Sequence, residues 1–441
     1  MAKVLSRREF LNIMGLSSLL FLPKIPGSKF LEGAAQWQAA GPEVPGLSIF
    51  DDTMKAFMQA RGITAGALAV SRNSKLVLAR GYTNSDNPSD ITVQPNSLFR
   101  IASISKPITA AAVLRLVQDG LINLSDKLTD ILNLTPPPGG TADPRLKDVT
   151  IRSLLQHLGG WDPGMTFDPM FYDAQIASAL GISLPASKND IITYMTGQPL
   201  QHTPGTTYAY SNYGYCLLGR IIEQVSGMPY DDYVSKAVFR PLGIWGVILG
   251  RSLSENRAPG EVTYHSMYMD TTVMDTSGES VPQPYGAFNL ENMDAHGGWL
   301  TSAVDLVRFA STFDDPSSSP VLNQDSVDTL FGLPENIDPG DYQAGDWYYA
   351  CGWAVRDWGG NNRNTWHDGS LPGTHTLMVR RWDGLDWAVV FNQRDDPSGL
   401  GYNEIDDLLH QAADQVTSWP DHDLFSLYLR MPELYLPFIT G

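Results

Sequence analysis

Phe99-Arg100-Ile101-Ala102-Ser103-Ile104-Ser105-Lys106-Pro107 decides how this chain is read, because it holds the only Ser-x-x-Lys in 441 residues. On a helix, an offset of three puts both side chains on one face. A serine hydroxyl is a poor nucleophile until a neighbouring base takes its proton. A lysine serves as that base once burial or a nearby positive charge lowers its pKa. At a helix N-terminus the free backbone N–H groups also stabilise an oxyanion. The helix is predicted directly behind the pair: Ile108–Gln118 is rich in Ala, Val and Leu, with Pro107 near its start and Gly120 at its end. Chance supplies the bare spacing often, and an ordinary capped helix is the structural alternative, so the rest of the chain has to decide.

Outward from this segment, Ser48–Arg61 carries Ile49, Phe50, Met54, Phe57 and Met58, the spacing of an amphipathic helix ended by Gly62. Two β-like runs, Ile63–Val70 and Leu76–Tyr82, read as a hairpin joined by Ser71-Arg72-Asn73-Ser74-Lys75. The middle of the chain is mostly helical in pattern: Ile151–His157, Lys188–Met195 and Tyr213–Val225, with Asp305–Phe313 beyond. β-like runs return at Trp347–Trp358, Thr374–Trp382 and Trp387–Gln393, and a helical pattern follows at Glu404–Val416. Strand patterns at both ends with helices between predict an α/β (α+β) fold: one sheet built from both termini, with an all-helical insertion. The sheet part is placed at about 45–100 and 295–415, and the helical part at about 101–294. A tail, 416–441, is rich in apolar and aromatic residues (Leu424, Phe425, Leu427, Tyr428, Leu429, Leu434, Tyr435, Phe438), and is expected to pack on the body or on a second subunit.

Bulk properties narrow the function. Hydrophobic residues make up 43% of the chain, enough for a sizeable core, and the net charge of −18 with no basic run repels nucleic acid and disfavours an anionic membrane surface, so neither is expected as a partner. Cys216 and Cys351, the only cysteines, match no zinc or redox spacing; they are read as buried thiols, with one disulfide as the alternative. Arg7-Arg8 before the short apolar stretch from Phe10 to Leu22 has the form of a twin-arginine export signal. Residues 1–40 are therefore assigned to signal and linker, with cleavage between about Pro26 and Gly41 and a periplasmic or extracellular destination. The stretch is short for a permanent anchor. No cofactor or metal motif is found, and neither His-Glu-x-x-His nor Gly-x-Ser-x-Gly occurs.

Two further segments carry chemistry. Tyr208-Ala209-Tyr210-Ser211-Asn212-Tyr213 follows Pro204-Gly205 and opens an apolar helix. There Tyr210 can shuttle a proton to a leaving group and Asn212 can hold a substrate carbonyl. Tyr82-Thr83-Asn84 has the same Tyr-x-Asn form but falls in the hairpin and is read as structural. Trp366-His367-Asp368-Gly369-Ser370-Leu371-Pro372-Gly373 reads as a strand edge where glycine lets a substrate backbone approach. His367 can donate a hydrogen bond to a substrate carboxylate or carbonyl, and the Ser370 N–H can serve as a second oxyanion donor.

Ser103-x-x-Lys106, Tyr210-x-Asn212 and His367-x-Gly369, in this order and spacing, resemble the serine β-lactamase and penicillin-binding-protein-like family. Leu154-Leu155-Gln156-His157-Leu158-Gly159-Gly160, Pro241-Leu242-Gly243 and Gly297-Gly298-Trp299-Leu300-Thr301-Ser302 are similar to its class C-like branch, and the resemblance spans roughly 45–415. It implies an antiparallel sheet flanked by helices and a cleft beside a helical domain. It also implies acyl transfer through a Ser103 ester, with Lys106 and Tyr210 sharing proton transfer and with no metal or cofactor. One departure matters. Class C β-lactamases carry Lys-Thr-Gly where this chain has His367-Asp368-Gly369, a switchable charge in place of a permanent one. A carboxylesterase on short acyl esters is therefore favoured. The alternatives are a D-alanyl-D-alanine carboxypeptidase or D-aminopeptidase, a weak β-lactamase, and a non-catalytic sensor or scaffold. The partner is a small-molecule ester or peptide; oligomeric state is left open. Trp161, Phe167, Phe171 and Tyr172 are read either as a roof over the cleft or as packing within the helical part.

Overall fold

The computed structural model describes residues 37–85, 91–360 and 362–429. The twin-arginine segment and Leu434, Tyr435 and Phe438 lie outside them.

Eight strands form the main sheet: β1 Trp37–Ala40, β2 Ala65–Arg72, β3 Lys75–Asn84, β4 Trp347–Tyr349, β5 Ala354–Asp357, β6 Arg363–Leu371, β7 Thr374–Arg380 and β8 Leu385–Phe391. Their order is β1-β3-β2-β8-β7-β6-β5-β4 and every pairing is antiparallel, so strands from both ends of the chain meet at β2–β8. Period-two alternation divides the side chains by size. Leu68, Val70, Trp387, Val389 and Phe391 form a core on one face with helices α1 (Ser48–Arg61) and α5 (Glu404–Gln415). Ala67, Ala69, Ala79 and Ala388 face the other way, where small side chains let helix α4 (Ala303–Ser311) lie close against β2 and β8.

Several details differ from the sequence reading, each for a local physical reason. The hairpin link is two residues, not five: Asn73 and Ser74 both take positive φ (49° and 61°), the conformation of a tight turn whose twist matches the strands. Trp347–Trp358 is two strands, because the chain reverses at Cys351–Gly352, where Gly352 has φ 79°. Trp37–Ala40, assigned to the linker, is an edge strand in register with Gly81–Asn84. The insertion is not all-helical. Ile248–Leu249 and Phe99–Arg100 flank Trp299–Thr301 in a small sheet, and Met269–Thr271 pairs with Ser280–Pro282. Tyr82 of the extra Tyr-x-Asn lies in β3 and donates to Asp51 at 2.7 Å. Cys216 and Cys351 are buried free thiols. The described tail packs on the body: Leu424 N–H donates to Leu76 O at 2.9 Å, and Arg308 lies 4.4 Å over the Phe425 ring. No helix among the described residues is long and apolar enough to cross a membrane.

Candidate active site

Ser103 occupies a 3₁₀ turn, Ala102–Ile104, that leads straight into helix α2 (Ser105–Gln118). The turn is clamped from below. Ile101 N–H donates to Trp299 O at 3.0 Å, Thr374 Oγ1 donates to Arg100 O at 2.9 Å, and Thr376 Oγ1 donates to Ile101 O at 3.0 Å. Ala102 is held at φ 48°, an unfavourable conformation for a residue with a Cβ, and such strain persists only where the surroundings enforce it. Two of these three bonds come from β7 and the third from Trp299, so the nucleophile turn is fixed to the main sheet on one side and to the strand at Trp299–Thr301 on the other.

Lys106 is fully buried. Its Nζ lies 3.0 Å from Ser103 Oγ and donates to the His296 carbonyl at 3.0 Å. Burial pushes its pKa down to about 7, opposed by the carboxylates of Asp168 and Asp368. A neutral amine here can accept the serine proton while keeping its bond to His296, which is the condition for general-base activation.

Tyr210 closes the other side. Lys106 Nζ sits 4.6 Å from the centre of its ring. Burial holds the phenol protonated against the influence of neighbouring Ser103. Its buried Oη makes no full hydrogen bond among the described residues, so it is left for an incoming group. Asn212 begins helix α3 (Asn212–Ser226), capped by Ser211, which accepts from Gly214 N–H. Its Nδ2 donates to Asp168 Oδ2 at 2.5 Å.

His367 departs from the sequence reading, in which it donates to the substrate. Nδ1 lies 2.6 Å from the Asp368 carbonyl, which can only accept, so the proton is assigned to Nδ1; Nε2 then accepts from Tyr349 Oη at 2.9 Å. Both nitrogens are engaged. Burial, with the charge of Lys106, pushes the pKa down to about 3, so the ring is neutral at physiological pH. It orders the cleft wall and brings no positive charge.

Gly369 and Ser370 lie where the sequence places them. A Cβ at Gly369 would stand 2.3 Å from Ile101 O and 2.3 Å from Thr376 Oγ1, so only glycine lets β6 pass the nucleophile turn. The tight closure Leu371↔Thr374 makes that pair hydrogen-bonded, and antiparallel hydrogen bonds alternate sides with period two. Gly369 and His367 therefore also bond to β7, while the N–H of Ser370 points to the opposite edge. β5 covers that edge only as far as Trp366. Ser370 N–H is thus presented to the cleft, and its side chain turns away, 3.3 Å from Arg394 Nη1.

Four site residues escaped the sequence reading. His157, at φ 57°, packs its ring 4.4 Å from Tyr210 and 4.5 Å from Tyr349; Nδ1 accepts from Ser211 N–H at 3.1 Å, bracing the Tyr-x-Asn turn. The quoted Leu-Leu-Gln-His segment was the available signal. Asp168, from the aromatic loop, reaches Asn212. Trp161 of that loop is buried edge-on to Tyr213 and Phe167 stacks on Tyr172, so the loop packs within the helical part more than it roofs the cleft. Tyr349 and His296 carried no sequence signal. Among the described residues, no group of three or more His, Cys, Asp or Glu side chains is placed to hold a metal ion.

The Beta-lactamase family model matches residues 50–411 of this chain. "Penicillin-binding protein 4*" of Bacillus subtilis is 26% identical over 341 residues, covering 75% of this chain and 67% of that protein. "Penicillin-binding protein 4" of Amycolatopsis lactamdurans is 26% identical over 354 residues, covering 79% and 82%. In structure, the D-amino acid amidase of Ochrobactrum anthropi SV3 complexed with L-phenylalanine amide superimposes with a TM-score of 0.61 at 23% identity, covering 85% of this chain and 98% of that one. The octameric penicillin-binding protein homologue of Pyrococcus abyssi gives 0.60 at 23% identity, covering 82% and 76%. With a serine and a buried lysine in contact beside an antiparallel sheet, and a family match across most of its length, the chain belongs to the β-lactamase family of serine hydrolases.

Proposed function

We propose that this protein is an exported acyl hydrolase, a carboxylesterase on short acyl esters, that works through a covalent Ser103 ester. The observation that carries the reading is Lys106 Nζ at 3.0 Å from Ser103 Oγ with its pKa pushed down to about 7. Ser103 Oγ attacks the substrate carbonyl carbon as its proton passes to Lys106 Nζ. The resulting oxyanion is met by the Ser370 N–H and by the N–H of Ser103 itself. As the C–O bond breaks, Tyr210 Oη gives its proton to the departing alkoxide and is reprotonated from the Lys106 ammonium. Water then releases the acid from Ser103 by the reverse proton path.

Substrates bearing a carboxylate at this site, as penicillins and D-alanyl-D-alanine peptides do, are disfavoured, since His367 is neutral and both its nitrogens are engaged. Hydrolysis of amino-acid amides is the second reading, supported by the likeness to a D-amino acid amidase.

The test is a panel of nitrophenyl esters from acetate to octanoate, with nitrocefin, D-phenylalaninamide and a D-alanyl-D-alanine peptide beside it, and a fluorophosphonate label located by mass spectrometry. Turnover of short esters, an adduct on Ser103 and loss of both in Ser103→Ala are expected. Full activity in Ser103→Ala would remove the assigned nucleophile. Export is tested by replacing Arg7 and Arg8 with lysine in the full chain, which should retain the protein in the cytoplasm.

A further inference from the structure

Tyr210 is held in place by one residue from an earlier part of the chain. Residues 207–211 lie outside any helix or strand. On one side of Tyr210, Ala209 N–H donates to the His157 carbonyl at 3.0 Å; on the other, Ser211 N–H donates to His157 Nδ1 at 3.1 Å. The His157 ring also packs on the Tyr210 ring, with centres 4.4 Å apart. His157 therefore meets this tyrosine and its two neighbours through its backbone, a ring nitrogen and the ring itself.

His157 adopts an unfavourable conformation to do this. It follows the short helix Ile151–Leu155 at φ 57°, the left-handed region where glycine is at ease and a residue with a Cβ is uncommon. The chain on either side fixes it there: Leu158 N–H donates to Ser153 O at 2.7 Å, and Gly205 N–H donates to Leu158 O at 2.8 Å. Strain of this kind, kept beside reacting groups, points to a role in placing them. The state of the ring agrees. Nδ1 accepts from a backbone N–H, so the proton is assigned to Nε2. Nε2 is buried without a hydrogen-bond partner among the described residues, and the rings of Tyr208, Tyr210, Tyr215 and Tyr349 surround the imidazole. Burial, with Lys106 and His367 nearby, keeps it neutral. A protonated Nδ1 would have no lone pair for Ser211, so neutrality is what preserves the brace.

The placing of Tyr210 matters for one step above the others. An alkoxide leaves poorly unless a proton reaches it as the C–O bond breaks, whereas a nitrophenolate leaves without one. The transfer needs donor and acceptor within about 2.6–3.2 Å, so a small shift of Tyr210 Oη is costly in the first case and slight in the second.

We propose that His157 is the positioning residue for Tyr210, and that through it the chain cleaves esters of unactivated alcohols. This rests on the acyl-transfer reading of Ser103. The experiment compares kcat/KM, which reports acylation, on ethyl butyrate and nitrophenyl butyrate, two esters of one acid. His157→Phe keeps a ring but removes the acceptor for Ser211 N–H; it should lose about thirtyfold or more on the ethyl ester and about threefold or less on the nitrophenyl ester. In His157→Asn, whose Oδ1 stands where Nδ1 was and which tolerates the left-handed backbone, both rates should stay within about fivefold of wild type. Melting temperatures establish folding; should the Phe variant not fold, His157→Gly, at ease at φ 57°, carries the same expectation. His157→Phe combined with Tyr210→Phe should be no slower on ethyl butyrate than Tyr210→Phe alone, because His157 acts through Tyr210. Equal losses on the two esters in a folded variant, or losses that multiply in the double variant, would overturn the proposal. So would a wild type that is labelled on Ser103 by a fluorophosphonate yet leaves ethyl butyrate intact. Should neither ester turn over and no adduct form on Ser103, the acyl-transfer reading falls and takes this proposal with it.

Discussion

Gly369→Ala is the sharpest test of how the sheet and the nucleophile depend on each other. The added methyl would sit 2.3 Å from Ile101 O, 2.3 Å from Thr376 Oγ1 and 3.2 Å from Ala102 Cβ. Carbon and oxygen need about 3.3 Å, so β6 and the Arg100–Ala102 backbone must part by about 1 Å. That backbone cannot yield freely, since Trp299, Thr374 and Thr376 bind it on both sides. Overpacking of this kind costs about 1–3 kcal/mol of stability. Displacing Ser103 from the Ser370 N–H by about 1 Å costs roughly 10²-fold in rate. The assay is kcat/KM on a short nitrophenyl ester alongside thermal unfolding. Gly369→Ala combined with Thr376→Ala separates the two clashes: removing Oγ1 leaves the Ile101 carbonyl in the way, so activity should stay low. A Gly369→Ala enzyme within threefold of wild type, with an unchanged melting temperature, would refute the close-approach reasoning.

Other outcomes follow from the same geometry. Because Lys106 must be neutral to take the Ser103 proton and burial sets its pKa at about 7, kcat/KM should climb about tenfold per pH unit below 7 and level off above it. Asp368→Asn removes a carboxylate that raises that pKa, so the acid limb should move to lower pH; a pH–rate profile on a neutral ester reads both. Tyr349→Phe takes away the donor to His367 Nε2 and leaves a buried acceptor unpaired. A loss of about 1–3 kcal/mol in denaturant unfolding is expected, with activity reduced but not abolished. Burial pushes both cysteine thiols up to about 12. A thiol reagent should therefore label neither in the native protein and both after denaturation, and reductant should leave the melting temperature unchanged.

Gly369 was visible as a glycine on a strand edge, but its steric role needed the distance to Ile101, 268 positions earlier in the chain. The Ser103–Lys106 contact was legible because a helix fixes the i,i+3 relation locally. Helices α1, α2 and α5 were legible for the same reason: their apolar patterns are local features, as are Gly62 and Gly120, which mark the ends of the first two. Strand ends were less so. Trp37–Ala40 looks like linker until β3 supplies its partner, and Trp347–Trp358 looks like one run until Gly352 turns it.

The sequence by itself determined which groups could do chemistry: a serine with a lysine one turn on, a tyrosine at a helix mouth, and a glycine-flanked histidine on a strand. Tertiary structure decided what state they are in. Lys106 is a base near neutrality because the fold takes it out of water, and no spacing rule measures that burial. His367 is neutral because the fold buries it near the charge of Lys106, and its ring is fixed by the neighbouring Asp368 carbonyl and by Tyr349 from another strand, a contact that only the folded sheet makes. Asp168 and Asp368, far apart in sequence, come to bear on one lysine for the same reason. Residue identity sets the available protons and charges, while desolvation and long-range proximity, properties of the packed chain alone, set where they reside.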